Sequence, residues 1–513
     1  MELASVLLQF QPDSPELKQK RDYDTAARNF VAQLANFPAS HWLKGIDTPQ
    51  DVFTILNPAV NSIAFAFALR HRIHAVSEKK SIPDTLQPGG ALWNKLVLFL
   101  ETSDPVQLRY IGPDWRKLVE TTEQIARAIG SPGLAIAPIR SAMIRLDPTT
   151  GTFTSTHLSF IRLCMETRSY AAAEPILDNY IHTLPTKATS VMRENLEYSV
   201  PCSDVASSGD YIYHTSGHSE KITLSDVQEY YLLGAMAYLG LRRFKKAQHM
   251  LEHVLIVPCN NVANGFMLEA YKKWVLLGCL VDGKVRCASV VEQKKRSNRF
   301  KPRTLPRTGN GNATKQLKAA SKAYEALTEA YVQLNNLPKL KAQIRAGADI
   351  WAEDGNAGLV NELINSQMRT YVVKLSQTFS AIPVSNIANN VGATPNEIAQ
   401  YLDTLIKDGF LNARLEHSDK ANAGVVLRFY LDPTEGPLAK SEKQQQQALF
   451  EQTLRTNILA EQVKDADYRL TLTKEYAEHL KRINKRQASS GEAMDTAWDD
   501  GVDAEEDIMV DLH

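Results

Sequence analysis

The stretch SNIANNVGATPNEIAQYLDTLIKDGF, residues 385–410, decides the fold of the C-terminal part of this chain. It predicts a short helix that ends at Gly392 and a second helix that begins after Thr394. Thr394 caps the second helix, Pro395 occupies its first position, and Glu397 completes a capping box. Five apolar residues then recur at i, i+3, i+4, i+7 and i+8, which is one face of an amphipathic helix. They are Ile398, Tyr401, Leu402, Leu405 and Ile406.

Two strand-like runs follow this helix, at residues 410–415 and 425–430, and a polar turn joins them. Helix, turn, helix and hairpin together predict a winged helix. This layout is best known from DNA-binding proteins, whose reading helix needs basic side chains against the phosphates. Here that helix carries three acids and one base, namely Glu397, Asp403, Asp408 and Lys407. The sequence therefore predicts that the winged helix contacts protein, and it disfavours a nucleic-acid partner.

Helical periodicity dominates the chain before residue 380, and one pattern occurs twice. Residues 157–179 and 230–253 each read as an apolar helix, a short polar turn and then aromatic-x-x-Ala-x-x-apolar-Leu. The pattern is made by Tyr170, Ala173, Ile176 and Leu177 in the first copy and by Phe244, Ala247, Met250 and Leu251 in the second. The copies lie 74 residues apart, near twice the ~34-residue period of a tetratricopeptide-like helix pair. A plain antiparallel helix hairpin would give a similar pattern, so both interpretations stay open.

The predicted fold class is mostly α: an α-solenoid of tetratricopeptide-like helical hairpins, then a winged-helix module and C-terminal helices. The predicted segments are irregular helical repeats at residues 1–155, further helical repeats at 156–366, the winged helix at 367–432, C-terminal helices at 438–486 and an acidic tail at 487–513. The second segment contains a basic insert at residues 286–310. The tail holds nine acids and no Lys or Arg, so we expect it to be disordered.

Two features predict contacts with other polypeptides. The wing strand at residues 425–430 is expected to offer an edge with unpaired backbone groups, which a neighbouring subunit can extend. Residues 459–480 carry apolar side chains at 4-3-4-3 spacing, a heptad seam that needs a partner helix from this chain or from another. The interface candidates are Val425, Leu427 and Phe429 on the strand and Leu459, Val463, Leu470 and Leu480 on the seam. Together these contacts would bury on the order of 2,000 Å² or more.

Composition favours an intracellular protein. The chain has 58 basic and 58 acidic residues, so its total charge indicates no polyanionic partner. Five cysteines, none in a C-x-x-C arrangement, favour a reducing compartment. The N-terminus lacks the basic start of a signal peptide, and the longest apolar run, residues 52–69, contains Asn and Pro and reads as a buried helix. We therefore expect a cytoplasmic and nuclear location and no membrane contact.

No constellation of catalytic residues stands out. His249 and His253 have the i, i+4 spacing of two zinc ligands, but no Glu directly follows the first His and no third ligand lies nearby in sequence. Residues 309–312 are followed by no G-K-[ST] of a phosphate-binding loop, and no G-x-S-x-G nucleophile motif occurs. We predict a protein that is not an enzyme and that has no catalytic residue, no metal site and no cofactor.

Two segments carry a resemblance to a known family: YYLLGAMAYLGL at residues 230–241 and MLEAYKKW at residues 267–274. Together with helical repeats that lead into a winged helix, they resemble the PCI-domain family, which is shared by the proteasome lid, the COP-nine signalosome and translation initiation factor three. Within it, their order and spacing are similar to third subunits of the COP-nine signalosome, of the fungal type. The likeness covers residues 105–432. Residues 1–100 match only loosely, and the basic run at 294–307 looks like an insertion.

This resemblance implies a non-catalytic scaffold. Its expected partners are other PCI-domain subunits and a metalloprotease subunit of one complex, and indirectly cullin-RING ubiquitin ligases. In that family the winged-helix sheets associate side by side and the C-terminal helices gather into a bundle. The complex removes a ubiquitin-like modifier from cullins, and a different subunit carries the zinc site. The alternatives are the paralogous proteasome-lid subunit and an RNA-associated PCI protein that would bind through residues 294–307.

Overall fold

The computed structural model describes residues 6–7, 9–12, 20–44, 51–77, 83–185, 211–213, 215–259, 262–288, 311–332, 337–417, 424–432, 434–439, 441–471, 476, 478 and 480–483. The chain divides into two compact units, residues 1–282 with 299–328 and residues 283–298 with 329–513. The basic run at 294–307 and the acidic tail lie outside the described residues. The segment boundaries proposed from the sequence at residues 155 and 366 stay predictions.

Helices make up most of the described chain. Before the winged helix they are α1 (Lys20–Ala35), α2 (Ala39–Trp42), α3 (Val52–Ile55), α4 (Ser62–Ser77), α5 (Ala91–Thr102), α6 (Pro105–Leu108), α7 (Gly112–Ala128), α8 (Ile136–Leu146), α9 (Ser155–Glu166), α10 (Tyr170–Leu177), α11 (Leu224–Gly240), α12 (Phe244–Ile256), α13 (Gly265–Ala288), α14 (Gly311–Ala320), α15 (Lys322–Val332), α16 (Leu337–Ala346), α17 (Ala348–Glu353) and α18 (Ala357–Ser376). Short 3₁₀ turns occur at Asp84–Leu86 and Pro132–Ala135.

Helix α4 is the buried helix that the longest apolar run predicts. Its first two turns are enclosed on every side, since every residue from Ser62 to Leu69 is 2% exposed or less. The polar break in the run separates it from α3. Arg72 on α4 donates two hydrogen bonds to the Asp51 carboxylate, at 3.1 and 2.5 Å, and a third to the Trp42 carbonyl oxygen. This paired charge is satisfied inside the core, as burial of an ion requires.

The repeated pattern forms two helix pairs, α9 with α10 and α11 with α12. Each pair turns through an arginine in the left-handed region, Arg168 at φ 56° and Arg242 at φ 57°. In both turns the next backbone N–H donates to a carbonyl five residues earlier, Ser169 to Cys164 and Arg243 to Tyr238. The two helix pairs therefore repeat the same backbone geometry, including an arginine with positive φ in each turn.

The two pairs stack closely on each other. A Cβ at Gly240 would lie 2.6 Å from the ring of Tyr170, so the aromatic of the first turn packs directly on the backbone of α11. The Tyr238 hydroxyl donates to Asp178 at 2.5 Å, and the Lys246 ammonium lies 2.6 Å from the same carboxylate. Such neighbour-to-neighbour contacts are typical of a helical-repeat array.

The winged helix follows α18 as β1 (Ala381–Pro383), α19 (Val384–Val391), α20 (Pro395–Lys407), β2 (Ala413–His417) and β3 (Val425–Phe429). The predicted helix boundaries are confirmed. Gly392 ends α19 at φ 70°, and Thr394 and Glu397 form the capping box, with the Thr394 N–H donating to Glu397 at 3.1 Å. On α20, Ile398, Leu402 and Leu405 are buried in the core of this module.

The three strands form one antiparallel sheet in the order β1-β3-β2. The sequence placed the first wing strand at residues 410–415, whereas β2 begins three residues later, at Ala413. β1 was not predicted, because three residues ending in proline give no alternating pattern. The mostly α fold class, with helical hairpins followed by a winged helix and a C-terminal helix, is confirmed.

One long helix, α21 (Glu442–Thr471), follows the winged helix. The predicted C-terminal helical segment therefore begins at Glu442, and residues 480–483 are again helical. Within the described residues, no helix is long and apolar enough to cross a membrane.

Candidate subunit interface

The wing strand β3 lies at the centre of the sheet, so the prediction that it offers a free edge is wrong. It pairs with β1 on one side and with β2 on the other. Leu427 is fully buried and Phe429 is 6% exposed, while Val425 at the strand start is half-buried. These side chains of Leu427 and Phe429 belong to the core of their own module. They are not available to a partner unless the module opens.

The longer open edge of the sheet is on β2. The Tyr430 N–H donates to the Asn412 carbonyl oxygen at 2.9 Å, which fixes which residues of β2 face β3. By the alternation of antiparallel pairing, Arg414 and Glu416 bond to β3, and the backbone groups of Ala413, Leu415 and His417 point away from it. No described strand pairs with that side of β2. Ala413 is fully buried, so the outward backbone groups that a partner could reach on the described part of β2 are those of Leu415, which is half-buried, and His417, which is exposed.

The opposite edge of the sheet is a poor template for strand addition. Phe429 N–H donates to the Ser380 carbonyl oxygen at 2.9 Å, so Ile382 faces β3 and the outward positions of β1 are Ala381 and Pro383. Proline has no N–H to donate. Only one outward N–H remains on this three-residue strand, and we therefore place the interaction edge on β2.

The exposed side of α20 is acidic, as predicted. Hydrogen bonds from the backbone and hydroxyl of Thr394 hold the pKa of the Glu397 carboxyl below its usual value. The helix has one base, Lys407, and its ammonium lies 2.6 Å from the Asp403 carboxylate. The remaining acids leave this side negative. A phosphate backbone would be repelled there, which supports contact with protein.

Helix α21 carries large apolar side chains that the described part of this chain does not cover. The seam residues Leu459 and Val463 are 53% and 66% exposed, and Leu480, beyond α21, is 41% exposed. Leu470 lies on α21, but its side chain is outside those described. The sequence left open whether the partner helix of the seam comes from this chain or from another. The described part of this chain does not cover the seam.

The sequence reasoning missed four further apolar residues on this helix. Leu449, Phe450, Leu454 and Ile458 are 65%, 70%, 54% and 49% exposed. Leu449 lies two heptads before Val463, and the other three are spaced four residues apart. These spacings were legible in the sequence. What it did not show is that the side chains remain in solvent after the chain has folded.

The histidine pair on α12 is part of a packed surface. The Nε2 atoms of His249 and His253 are 3.2 Å apart, and the His253 ring stacks on Tyr231 with centroids 4.8 Å apart. Burial, with a contribution from His249, lowers the pKa of His253 to about 4. No group of three or more metal-binding side chains occurs among the described residues. The absence of a metal site stays a prediction.

The thiol of Cys164 shows the same lack of activation. Burial raises its pKa to about 12, whereas a reactive cysteine needs a lowered pKa. Its side chain is fully enclosed on α9. The Cys164 environment therefore supports packing and not nucleophilic chemistry.

Comparison with known proteins identifies the family of the chain. The family model for the N-terminal helical repeats of COP9 signalosome complex subunit 3 matches residues 33–201 and 204–292. A COP9 signalosome complex subunit 3 from Emericella nidulans is 30% identical over 500 residues, which is 95% of each chain. Proteins with the same description from Neurospora crassa and Arabidopsis thaliana are 22% and 24% identical, over 77% and 65% of this chain and 75% and 64% of their own lengths. The chain therefore belongs to the COP9 signalosome complex subunit 3 family.

Proposed function

We propose that this protein is a non-catalytic scaffold subunit of a COP9 signalosome, joined to its neighbours through the β2 edge and the apolar surface of α21. Its role is to hold the complex together while the complex removes a ubiquitin-like modifier from cullin-RING ligases. The catalytic step belongs to a metalloprotease subunit. The partners are that subunit and other PCI-domain subunits, and the location is cytoplasmic and nuclear.

The exposed apolar surface of α21 carries this proposal. Seven large apolar or aromatic side chains on one helix remain at least 49% exposed, and exposed apolar surface of this extent marks a protein interface. Fully burying a large apolar side chain is worth roughly 1.5–3 kcal/mol, against about 0–1 kcal/mol for a surface ion pair. The apolar surface therefore dominates any energy of association at this end of the chain.

The β2 edge supplies the second contact. Addition of a strand at an open edge gives hydrogen bonds that fix both the direction and the register of a partner. The outward-facing groups of Leu415 and His417 offer this pairing without disturbing β3. An edge of five residues is too short to hold a partner by itself, which is why the helix contact is needed beside it.

The helix contact is tested by removing residues 442–483 from the chain and co-expressing it with the other subunits. We expect a folded chain whose helical circular dichroism falls only by the share of the removed helix, and which is recovered with its neighbours at least ten-fold less often. Removal of residues 487–513 is the matched control and should leave recovery unchanged. Normal incorporation of the shortened chain would overturn the proposal.

The edge contact is tested by a pair of proline substitutions on β2. His417→Pro removes an outward N–H and should weaken incorporation while the winged helix stays folded. Glu416→Pro removes an N–H that bonds to β3, so it should destabilise the module itself. If His417→Pro incorporates like the natural chain, β2 is not the edge that a neighbour extends.

The names of the relatives favour the signalosome over the proteasome lid, because all three carry the signalosome description. The RNA-associated alternative rests on residues 294–307, which lie outside the described residues. Charge reversal across that run would abolish salt-dependent RNA binding if this alternative held.

A further inference from the structure

Two arginines of the helical repeats occupy a backbone position that other turns of this chain give to glycine. Six helix ends among the described residues share one hydrogen bond, in which a backbone N–H donates to the carbonyl oxygen five residues earlier. In each, the residue before the donor has a positive φ. Glycine holds that position in four turns, and arginine holds it in the two turns of the repeated helix pairs. The glycines are Gly130, Gly355, Gly392 and Gly409, and the arginines are Arg168 and Arg242.

This placement opposes the backbone preference of both arginines. A left-handed conformation brings the Cβ of an L-residue close to the following carbonyl oxygen, so glycine is the usual residue at such a helix end. Arginine therefore gives these turns no advantage in local stability. A disfavoured conformation that is kept at the same position of two successive repeats points to a use for the side chain.

The two turns are neighbours in space. A Cβ at Gly240, just before the second turn, would lie 2.6 Å from the ring of Tyr170, which begins α10 just after the first. The Arg243 guanidinium also reaches Glu174 on α10, at 3.1 Å. The two turns and the first turn of α12 therefore bring five basic side chains to one edge of the repeats. We call these five the turn cluster: Arg168, Arg242, Arg243, Lys245 and Lys246.

The turn cluster carries an excess of positive charge. Arg243 pairs with Glu174 at 3.1 Å and Lys246 with Asp178 at 2.6 Å. These two acids offset two of the five bases, and three positive charges remain. The other three members of the cluster are exposed. Among the described residues, the Arg168 side chain has no hydrogen-bond or ion-pair partner.

The helix dipole adds to this positive potential. Lys245 and Lys246 lie in the first turn of α12, which contains no acid. The start of a helix is the positive end of its dipole, where acidic side chains are favourable and basic ones are not. The edge therefore departs from a second local preference in the same direction, towards attraction of an anion.

The partner that fits the turn cluster is an acidic peptide segment. A guanidinium presents parallel N–H donors that match the two oxygens of a carboxylate. Duplex nucleic acid fits less well, because three net charges are few against the about 6–10 phosphates that a DNA-binding protein contacts. The carboxylates of Glu174 and Asp178, which lie among the bases, would also repel a phosphate backbone.

We infer that the turn cluster is a docking surface for an acidic segment of another polypeptide, whose carboxylates contact Arg168 and Arg242. The two arginines act as a matched pair, because they come from the same position of successive repeats. This inference goes beyond the proposed function and does not depend on it, since it involves neither β2 nor α21.

Fluorescence anisotropy with the whole chain and a labelled octaglutamate peptide, at low ionic strength, tests this inference. The natural chain should bind the peptide, and added salt should weaken the binding because the contacts are exposed ion pairs. The double variant Arg168→Gly, Arg242→Gly should bind about ten-fold more weakly. Its thermal unfolding temperature should stay the same or rise, because glycine suits both left-handed positions.

The double variant Lys117→Gln, Lys221→Gln is the matched control. It removes the same number of exposed positive charges near the opposite end of α9, where the Glu220 N–H donates to the Ser155 hydroxyl at 3.1 Å. This control should bind the peptide like the natural chain.

Four results would overturn the inference. The natural chain could fail to bind octaglutamate, or the arginine variant could bind it no more weakly than the control does. A lower unfolding temperature of the arginine variant would show that the arginines serve the fold itself. Tighter binding of a duplex DNA probe than of the peptide would assign the surface to nucleic acid.

Discussion

Replacement of Leu427 by alanine distinguishes a core position from an interface position. Leu427 is on the central strand, fully buried, and paired with Ile382 on one side and Leu415 on the other. Truncation of an enclosed leucine removes its transfer energy and leaves a cavity that the neighbours fill only partly. We expect the winged helix to lose about 3 kcal/mol, which is about a 150-fold change in the ratio of closed to open module.

Hydrogen exchange measured by mass spectrometry is the suitable assay, because the chain has two units and a single unfolding transition is not assured. Peptides that cover residues 411–432 should exchange about 150-fold faster in the variant, while peptides from α9 to α12 should not change. Val425→Ala, on the same strand but half-buried, is the control and should cost less than about 1 kcal/mol.

The contrary result is equally clear. If Leu427→Ala leaves the exchange of the module unchanged but prevents assembly with other subunits, the side chain acts at an interface. That result would restore the interpretation drawn from the sequence alone and contradict the packing described for β3.

Two further predictions concern the first unit. Burial lowers the pKa of His157 and of His218 to about 4, from an ordinary value of 6.5. Both side chains are neutral in the folded protein, so its stability is full above pH 6.5 and falls as the pH decreases towards 4. The expected loss is about 2 kcal/mol for each histidine between pH 7 and pH 5. Thermal unfolding of the natural chain and of the double variant His157→Asn, His218→Gln checks this, and equal pH dependence of the two would contradict it. Gly112→Ala should destabilise the start of α7 by about 1–3 kcal/mol, because the new Cβ would collide with the Ser216 carbonyl oxygen and lie 2.7 Å from His218 Nδ1. Denaturant titration beside Gly133→Ala, whose Cβ would meet nothing within 4 Å, measures the difference, and equal stabilities would show that the backbone at Ser216 yields.

Part of the candidate interface surface could be predicted from the sequence, namely the part whose pattern lies within a single helix. The heptad of Leu459 and Val463 is a periodicity within one helix, so the sequence identified it. The four-residue spacing of Phe450, Leu454 and Ile458 is equally regular. This spacing indicates a contact with another polypeptide only when the side chains are known to be exposed, because a helix buried in its own domain can have the same spacing.

The sequence alone determined the helices of the winged helix and the repeated helical hairpins, although it missed β1 and the start of β2. The capping box of Thr394 and Glu397, the left-handed Gly392 and the 74-residue repeat all depend on bonds and dihedral angles within a few neighbouring residues, and the structure agrees with each. Only the tertiary structure decided which strand lies at the sheet edge. Ile382 pairs with Leu427 although the two are far apart in the chain, and that pairing converts the expected edge into the centre. Strand pairing and burial depend on which segments distant in sequence come into contact. A local pattern of residues does not specify those contacts.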